Sequence, residues 1–546
     1  MRKNEPKAIE KVLNRCREKS ESKPKEEDGK NIIYTSFVEF SNGNLMEQVY
    51  DKKEKISKFC IWDREKGTVD YATDVDIGET IYRPILDEEV DKTAILLPSK
   101  IEEYENDAVL DEDIKKYINK WLDIPEDVSQ FALWNIKRSW VFDKFHTLNY
   151  LRALGDTGTG KSRFLDTLGY IHYKPINTSG ATTPAPIFRI IEKWRGTLMM
   201  DEADFQKSDE AQDIIKIINV GYEKGKHIMR CDQNDATKIS FFDPYCPKIL
   251  ATRKSFADKA VEGRCITYVM SGTERNDIPP NLNKDFFCEA LSLRNKLLLW
   301  RFRNYHKIKP DLKIDFDLGE LEPRVKQIVT SFVNLFSSDI KQLEKFKLFI
   351  HKHQEELIDE RKNTFAGGVV GAIYDLIKDG NLDIDASNII NRGDLKDFKG
   401  NQLKPRGLSS TLKSLGFGKS KSRKVEGITK RCLALKQSHL DSLFKRYGYE
   451  VTKVTIHTDS SLQELYDVNE KNGSDRYNRN NRNSVTEKNE ELDTIKTYQS
   501  NSDVVHYNCN SCGYTPCYEF DKTGKPLCRT CYDALGFQNK SEEQIL

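Results

Sequence analysis

Eight consecutive residues, Gly155-Asp156-Thr157-Gly158-Thr159-Gly160-Lys161-Ser162, have the types and spacing to hold a triphosphate. They satisfy each fixed position of the pattern G-x-x-x-x-G-K-[ST]. The glycines let backbone N–H groups turn toward phosphate oxygens with no Cβ in the way. Lys161 has the reach for the β and γ oxygens, and the Ser162 hydroxyl can sit on Mg²⁺. Downstream, Gly196-Thr197-Leu198-Met199-Met200-Asp201-Glu202 is a short apolar run that ends in two carboxylates. On a buried parallel strand, Asp201 would stand at the carboxyl end beside the cation held by Ser162. Glu202 would then activate a water for attack on the γ-phosphate. A strand that happens to end in charged residues is the plainer reading. The position of this run, 40 residues after Lys161, favours hydrolysis.

A third group of residues has metal-ligand spacing. Cys509-x2-Cys512 and Cys528-x2-Cys531 are separated by 15 residues. Each pair can form a tight knuckle with two thiolates turned toward one Zn²⁺. Four thiolates make a closed tetrahedral site, structural rather than catalytic. Gly513 and Gly524 suit such turns, and Cys517 is spare. A module of about 30 residues cannot bury a sufficient core, so the metal would supply its folding energy. Ligand spacing alone leaves a zinc ribbon and a treble-clef-like finger both open.

The elements needed to position these groups are legible around them. Residues 147–154 form a plausible strand before the phosphate loop, and residues 163–168 continue as a helix. Strand, loop, helix is the context the motif requires. A short strand near Ile171-His172-Tyr173 and a helix from Ala185 to Trp194 follow. Next come a helix over Asp209 to Val220, two short runs at 226–230 and 237–241 that can pair as a hairpin, and a strand at 248–251 ending in Thr252. Strands alternating with helices call for a parallel sheet covered on both faces. The expected fold class is α/β, a P-loop core with smaller appended domains.

With 546 residues, three or more domains are expected. Residues 1–30 are dense in charge and read as disordered. Residues 31–110 form a mixed segment with strand-like stretches such as Ile32 to Phe40 and no readable role. Residues 111–300 hold the ATPase core and the helices preceding it, where Trp121, Leu122, Phe131, Trp134, Trp140 and Phe142 are core or lid candidates. Residues 301–365 read as a helical lid or linker, 466–504 as a flexible polar tether, and 505–535 as the zinc module. The segment 366–450 differs from these. Val370, Ile373, Tyr374 and Ile377 share one helical face, and 388–390 fits a second helix. Residues 404–415 fit a third, with Pro405 near its start and Gly416 at its end. A basic loop then leads to a possible strand at 431–435. Between Lys396 and Arg431 there are eleven basic and two acidic residues. The whole chain has 87 basic and 86 acidic side chains, so this is a local phosphate-binding field in a neutral protein. Three short helices and a basic hairpin resemble a winged helix, which points to DNA.

No apolar run approaches a membrane span, the charged N-terminus is not a signal peptide, and a cytosolic setting is expected. Seven scattered cysteines outside the C-terminal cluster fit reduced thiols.

Taken together, the phosphate loop, the paired carboxylates and the strand ending in Thr252 resemble the AAA+ ATPases. The likeness is greatest to the compact ring helicases of viruses, plasmids and phages (superfamily 3) and to the MCM-type helicases. By that resemblance Gly155 to Ser162 form Walker A, Asp201 and Glu202 belong to Walker B, and Thr252 is a sensor, with Arg253 beside it competing for that role. Arg264 in Glu262-Gly263-Arg264-Cys265-Ile266 is the candidate arginine finger. The resemblance implies ATP and Mg²⁺ as cofactors, DNA as partner and a homo-oligomeric ring. The hairpin at 226–242 stands where ring helicases insert a DNA-contacting hairpin. Here Asp232 and Asp235 make its tip acidic where such tips are usually basic. The leading expectation is a DNA helicase or translocase of a mobile element or virus. The alternatives are a loader or initiator ATPase without unwinding, and a DNA-binding regulator with a structural nucleotide site.

Overall fold

The computed structural model describes residues 30–450 apart from 86–87, 179–181, 202–208, 232–237, 311–315, 337–338, 398, 419 and 426–427, together with three short strands at 26–27, 519–520 and 526–527. Residues 1–456 form one unit and 457–546 a second. No described helix is long and apolar enough to cross a membrane.

The chain enters through strands β1 (Glu26–Glu27), β2 (Lys30–Thr35), β3 (Phe37–Glu39), β4 (Leu45–Asp51), β5 (Ile56–Asp63), β6 (Thr68–Ala72), β7 (Val75–Ile77) and β8 (Thr80–Pro84). They form two four-stranded sheets of order β1-β2-β8-β7 and β3-β4-β5-β6. Glu26, Glu27 and Lys30 are thus strand residues, which shortens the charged tail expected over 1–30; residues 1–25 lie outside the described ones. Glu47 of β4 is buried, and its carboxylate is held by Lys174 at 2.9 Å, Arg301 at 2.8 Å and the Tyr173 hydroxyl at 2.8 Å. Removing one partner of such a buried cluster costs about 3–5 kcal/mol. The cluster therefore fastens the N-terminal sheets to the core.

Helices α1 (Glu88–Asp91), α2 (Asp107–Trp121) and α3 (Glu126–Ser139) lead into that core. Trp121, Leu122, Phe131, Trp134, Trp140 and Phe142 are all buried in it. The core alternates strands and helices: β9 (Tyr150–Leu154), α4 (Lys161–Gly169), β10 (Ile176–Thr178), α5 (Pro184–Trp194), β11 (Leu198–Met200) and α6 (Asp209–Val220). A hairpin of β12 (Ile228–Cys231) and β13 (Ile239–Phe242) follows, then β14 (Lys248–Thr252), α7 (Lys259–Glu262) and β15 (Cys265–Val269). The sheet is parallel with order β10-β11-β14-β9-β15. Alternation along each strand sorts its side chains between two cores. Leu151, Ala153, Met199, Ile249 and Ala251 pack with α4, whereas Tyr150, Leu198, Met200 and Leu250 pack with α5 and α6. The fold is α/β with a P-loop core, as the periodicity predicts.

One strand is displaced. Ile171-His172-Tyr173 forms a buried turn rather than a strand, and the chain pairs with β11 only from Ile176. His172 N–H donates to Gly169 O at 3.0 Å and Nδ1 meets Leu168 O at 2.7 Å, so the backbone is still leaving α4 there. A short buried apolar run looks the same in either state.

Beyond the sheet, α8 (Lys284–Asn304), α9 (Pro323–Leu335) and α10 (Ile340–Lys362) pack beside α2 and α3. A separate core is built by α11 (Phe365–Lys378), α12 (Ala386–Arg392), α13 (Pro405–Ser414), the antiparallel pair β16 (Ser420–Val425) and β17 (Ile428–Leu433), and α14 (Gln437–Arg446). Leu408 and Leu412 anchor α13 in this core, while Arg406, Ser409, Ser410 and Lys413 face outward. Gly416 ends that stretch at φ +91°. Arg361 of α10 ties the unit down through Glu322, at 2.8 and 3.0 Å, and through Arg446 O.

In the second unit, β18 (Glu519–Phe520) and β19 (Pro526–Leu527) pair antiparallel. The ligand candidates Cys509, Cys512, Cys528 and Cys531, and the tether 466–504, lie outside the described residues.

Candidate nucleotide site

The site assembles at the carboxyl edge of the sheet because β9, β14 and β11 all end there. β9 runs into the phosphate loop, whose N–H at Gly155 donates to Thr252 O at 3.2 Å. On the other side of β9, the Met270 N–H donates to Leu154 O at 2.7 Å. A Cβ at Gly155 would fall 2.7 Å from Thr159 Oγ1 and 2.8 Å from Met270 O, so only glycine fits. Gly158 and Gly160 have φ of +83° and +91°, the left-handed region that aims N–H groups inward at low cost. Nothing lies within 4 Å of a Cβ built on Gly158, so the loop is open above it. Thr159 Oγ1 donates to Asp156 O at 2.8 Å and closes the turn. Asp156 and Thr157 are exposed along it.

Gly160 caps α4 with no side-chain hydrogen bond, and the first turn of α4 carries no acid. Its free N–H groups and the helix dipole therefore favour an anion. Lys161 is largely buried, and its Nζ donates across the loop to Asp156 O at 2.6 Å. Ser162, next in line, is exposed.

β11 delivers Asp201 at its end, half-buried. Its side chain falls on the face of Met199, toward α4. One strand separates it from the phosphate loop: β14 lies between β11 and β9 and ends in Thr252. Thr252 is fully buried, and its Oγ1 has no hydrogen-bond partner among the described residues. An orphaned hydroxyl costs about 1–3 kcal/mol, so its presence between the two motifs fits a group that a ligand or its water would engage. The open loop, the acid-free helix terminus and the orphaned hydroxyl together fit a nucleoside triphosphate with Mg²⁺ on Ser162 and Asp201. Glu202 lies outside the described residues.

Two charged residues outside the motifs also stand out, one at each edge of the sheet. Asp166, one helical turn beyond Ser162, has its pKa raised to about 6 by burial and then by the charge of Asp201. Arg324 of α9 lies 5.7 Å from the Tyr222 ring, and Arg264 lies 5.1 Å from the same ring. Spacing of four residues on a helix could have flagged Asp166. Nothing near Arg324 announces its place.

Arg264 is not at the phosphate loop. It precedes β15, and its carbonyl accepts from Tyr150 N–H at the start of β9, so it stands at the opposite, amino edge of the sheet. Its guanidinium donates to Asn219 Oδ1, while its Nε is buried without a partner. Burial and the neighbouring charge of Arg324 lower its pKa.

No protein-family model and no curated protein matches the chain. Among solved structures it is similar to the active helicase Cch of SCCmec type IV, at 11% identity and a TM-score of 0.40, over 80% of this chain and 84% of that one. It is similar also to the A-form apo structure of the NrS-1 C-terminal region, at 11% identity and a TM-score of 0.34, over 71% and 96%. A full-length MCM homolog from Methanopyrus kandleri is similar at 11% identity and a TM-score of 0.29, over 55% and 68%.

Proposed function

We propose that the chain is an ATP-hydrolysing motor on DNA, a helicase or translocase of a mobile element or virus. One observation carries this reading: the phosphate loop with Lys161 and Ser162, Asp201 of β11, and the unpartnered Thr252 between them meet at one edge of the sheet. In this reading Lys161 and the loop N–H groups bind the triphosphate, Ser162 and Asp201 hold the cation, and Glu202 orients and deprotonates the water. Mg²⁺ would neutralise charge that develops on the phosphoryl oxygens.

DNA would be met by the winged-helix-like unit. Arg406, Ser409, Ser410 and Lys413 form an outward face on α13, and the β16–β17 hairpin is rich in basic residues. Some of that charge is paired locally: Arg423 with Asp383 at 2.6 Å, Lys396 with Asp394 at 2.7 Å, Lys430 with Asp385 at 3.8 Å. Exposed pairs contribute about 0–1 kcal/mol, so phosphates can displace them. The four C-terminal cysteines would hold one Zn²⁺, and the strands β18 and β19 lie in sequence between the two pairs. Removing that metal with a zinc-selective chelator, with Mg²⁺ kept in excess, should unfold residues 505–535 and leave ATP hydrolysis intact. Loss of hydrolysis on chelation would mean the zinc module belongs to the motor. In a ring of copies, Arg264 would reach a neighbour's nucleotide.

Asp232 and Asp235, between the strands of the β12–β13 hairpin, favour a second reading, an ATPase that loads or remodels without unwinding. Strand displacement on forked DNA separates the two. ATP-dependent displacement that vanishes in Lys161→Ala supports the motor, and hydrolysis without displacement supports the loader. DNA binding indifferent to ATP, with no turnover, overturns both.

A further inference from the structure

We propose that Arg264 and Arg324 form one site for a phosphoryl oxyanion, with Arg324 of α9 acting beside Arg264 on the nucleotide that a neighbouring copy holds. The inference rests on the oligomeric motor reading above and adds a residue to it.

The backbone brings the two guanidiniums to one place. Arg324 stands in the first turn of α9 and reaches the end of α7, where its Nε donates to Gly263 O at 3.3 Å and its Nη2 to Ala260 O at 3.1 Å. Gly263 immediately precedes Arg264. Both guanidiniums lie against the buried ring of Tyr222, at 5.1 Å for Arg264 and 5.7 Å for Arg324. Arg264 Nη1 donates to the neutral Asn219 Oδ1, and its Nε is buried without a partner. Among the described residues, Arg264 Nη2 and Arg324 Nη1 make no hydrogen bond, and neither arginine is ion-paired.

The carboxylates nearest in sequence to the pair are engaged elsewhere. Glu262 is held by Arg152 at 2.7 Å, and Glu322 by Arg361 at 2.8 and 3.0 Å. Asp258 accepts from Asn219 Nδ2 at 2.8 Å and from Ala260 N–H at 2.7 Å, so it meets Arg264 only through Asn219. One carboxylate at second hand against two guanidiniums leaves a positive excess. α9 adds to it, because its first turn holds no acid and its N-cap Glu322 makes no side-chain cap hydrogen bond. A helix N-terminus favours an anion and disfavours a cation. Capping the end of α7 would account for Arg324 alone, but not for a second unpaired guanidinium against the same ring. An oxyanion accounts for both, since the planar fork of arginine donors matches phosphate oxygens.

The oxyanion comes from another copy. The phosphate loop stands at the carboxyl edge of the sheet and the pair at its amino edge, so one chain cannot bring both to a single phosphate. A head-to-tail contact between identical copies places unlike surfaces together, here one copy's arginines and the next copy's loop.

The test uses full-length protein, with ATP turnover as the readout and sedimentation to follow assembly. Arg324→Gln keeps an N–H donor for the α7 carbonyls and removes the charge. Its turnover should fall about tenfold or more, the worth of a hydrogen bond to a charged group, with ATP affinity little changed. Arg324→Lys keeps the charge without the planar fork. It should fall between the two and serves if the Gln variant folds poorly. Mixing separates action on a neighbour from a strut. Lys161→Ala has a disabled loop and both arginines, whereas Arg324→Gln has an intact loop and an incomplete pair. Assembled together, the two should turn over ATP faster than the sum of the separate variants, because some intact loops then face a complete pair. A mixture no faster than that sum overturns the proposal, and Arg324 is then a strut within its own chain. Turnover of Arg324→Gln equal to wild type overturns it too, as does loss of the oligomer in that variant, which would make Arg324 an assembly contact. Wild type that hydrolyses no ATP, or does so at full rate as a monomer, overturns the motor reading itself, a separate outcome seen without any variant.

Discussion

At the amino edge of the parallel sheet, Lys248 donates to Gly221 O, Pro244 O and Cys246 O at 3.2, 3.0 and 3.1 Å, and the Tyr150 hydroxyl donates to Ile218 O at 2.6 Å. At the carboxyl edge of the same strands, the charge of Asp201 acts on the half-buried Asp166, and the Thr252 hydroxyl has no hydrogen-bond partner among the described residues. The first edge places cations on acceptors of its own chain. The second holds like charges together and leaves a buried donor unused. Buried polar groups are expensive when unpaired, so an edge that keeps them is arranged for something other than its own stability. The amino edge keeps unpaired groups too: among the described residues Thr197 Oγ1, at the start of β11, is buried without a hydrogen-bond partner, and where Arg264 and Arg324 meet over Tyr222 the Arg264 Nε has none. On the proposed reading nucleotide chemistry belongs to the carboxyl edge, and the Arg264 corner asks whether the other takes part through a neighbouring copy.

The largest effect should come from the carboxyl edge. Lys161→Ala removes the cation that reaches across the phosphate loop, and ATP hydrolysis should fall to background in a steady-state assay. Glu202→Gln should retain nucleotide binding, measured by equilibrium titration, and lose turnover, because the water loses its base. Turnover in Glu202→Gln equal to wild type would remove Glu202 from the catalytic set.

Arg264→Ala is the next largest and tests the amino edge. Acting on a neighbour's nucleotide, Arg264 should be worth about a thousandfold in turnover with little change in ATP affinity, and the active species should sediment as an oligomer. A fully active monomer, or a variant that loses only thermal stability, would make Arg264 an internal strut on Asn219 and Tyr222.

How much of this could be read from the chain follows from the range of the interactions. The phosphate loop was legible because each of its positions answers a local need, from the φ of Gly158 and Gly160 to the reach of Lys161. Helix α6 was legible at both ends because its apolar residues keep the helical period, and β14 through Thr252 because a short apolar run after a turn suits a strand buried on both faces. Helix α8 was not. Its buried residues include Arg294, Asn295 and Arg301, so charge falls on the inward face and blurs the helical stripe. The buried turn at Ile171-His172-Tyr173 read as a strand for the converse reason, since apolar residues fill it without a period. Asp166 beside Asp201, and Arg324 beside Arg264, are contacts between distant segments that no local pattern encodes.

A smaller effect should come from Lys248→Met. Three carbonyls would lose their donor, a cost of about 1–3 kcal/mol read as a lower unfolding midpoint in denaturant. ATP turnover per folded molecule should be unchanged, because Lys248 lies at the edge away from the phosphate loop. A matching loss of turnover would mean that the two edges are coupled through β14 and cannot be assigned separate tasks.

The smallest and most discriminating effect should be that of Thr252→Val. The two side chains have the same shape, and the change removes a buried hydroxyl that no described residue satisfies. Stability should therefore hold or rise by up to about 1 kcal/mol, whereas a core threonine with a partner would lose that much. Turnover should drop, because the hydroxyl stands on the strand between the phosphate loop and Asp201. Opposite signs in the two measurements are what an edge kept for chemistry requires. If both fall together, Thr252 is a structural hydroxyl with an unseen partner. If turnover is unchanged while stability rises, the orphaned hydroxyl serves no step of the reaction, and Arg253 becomes the sensor to test at the end of β14.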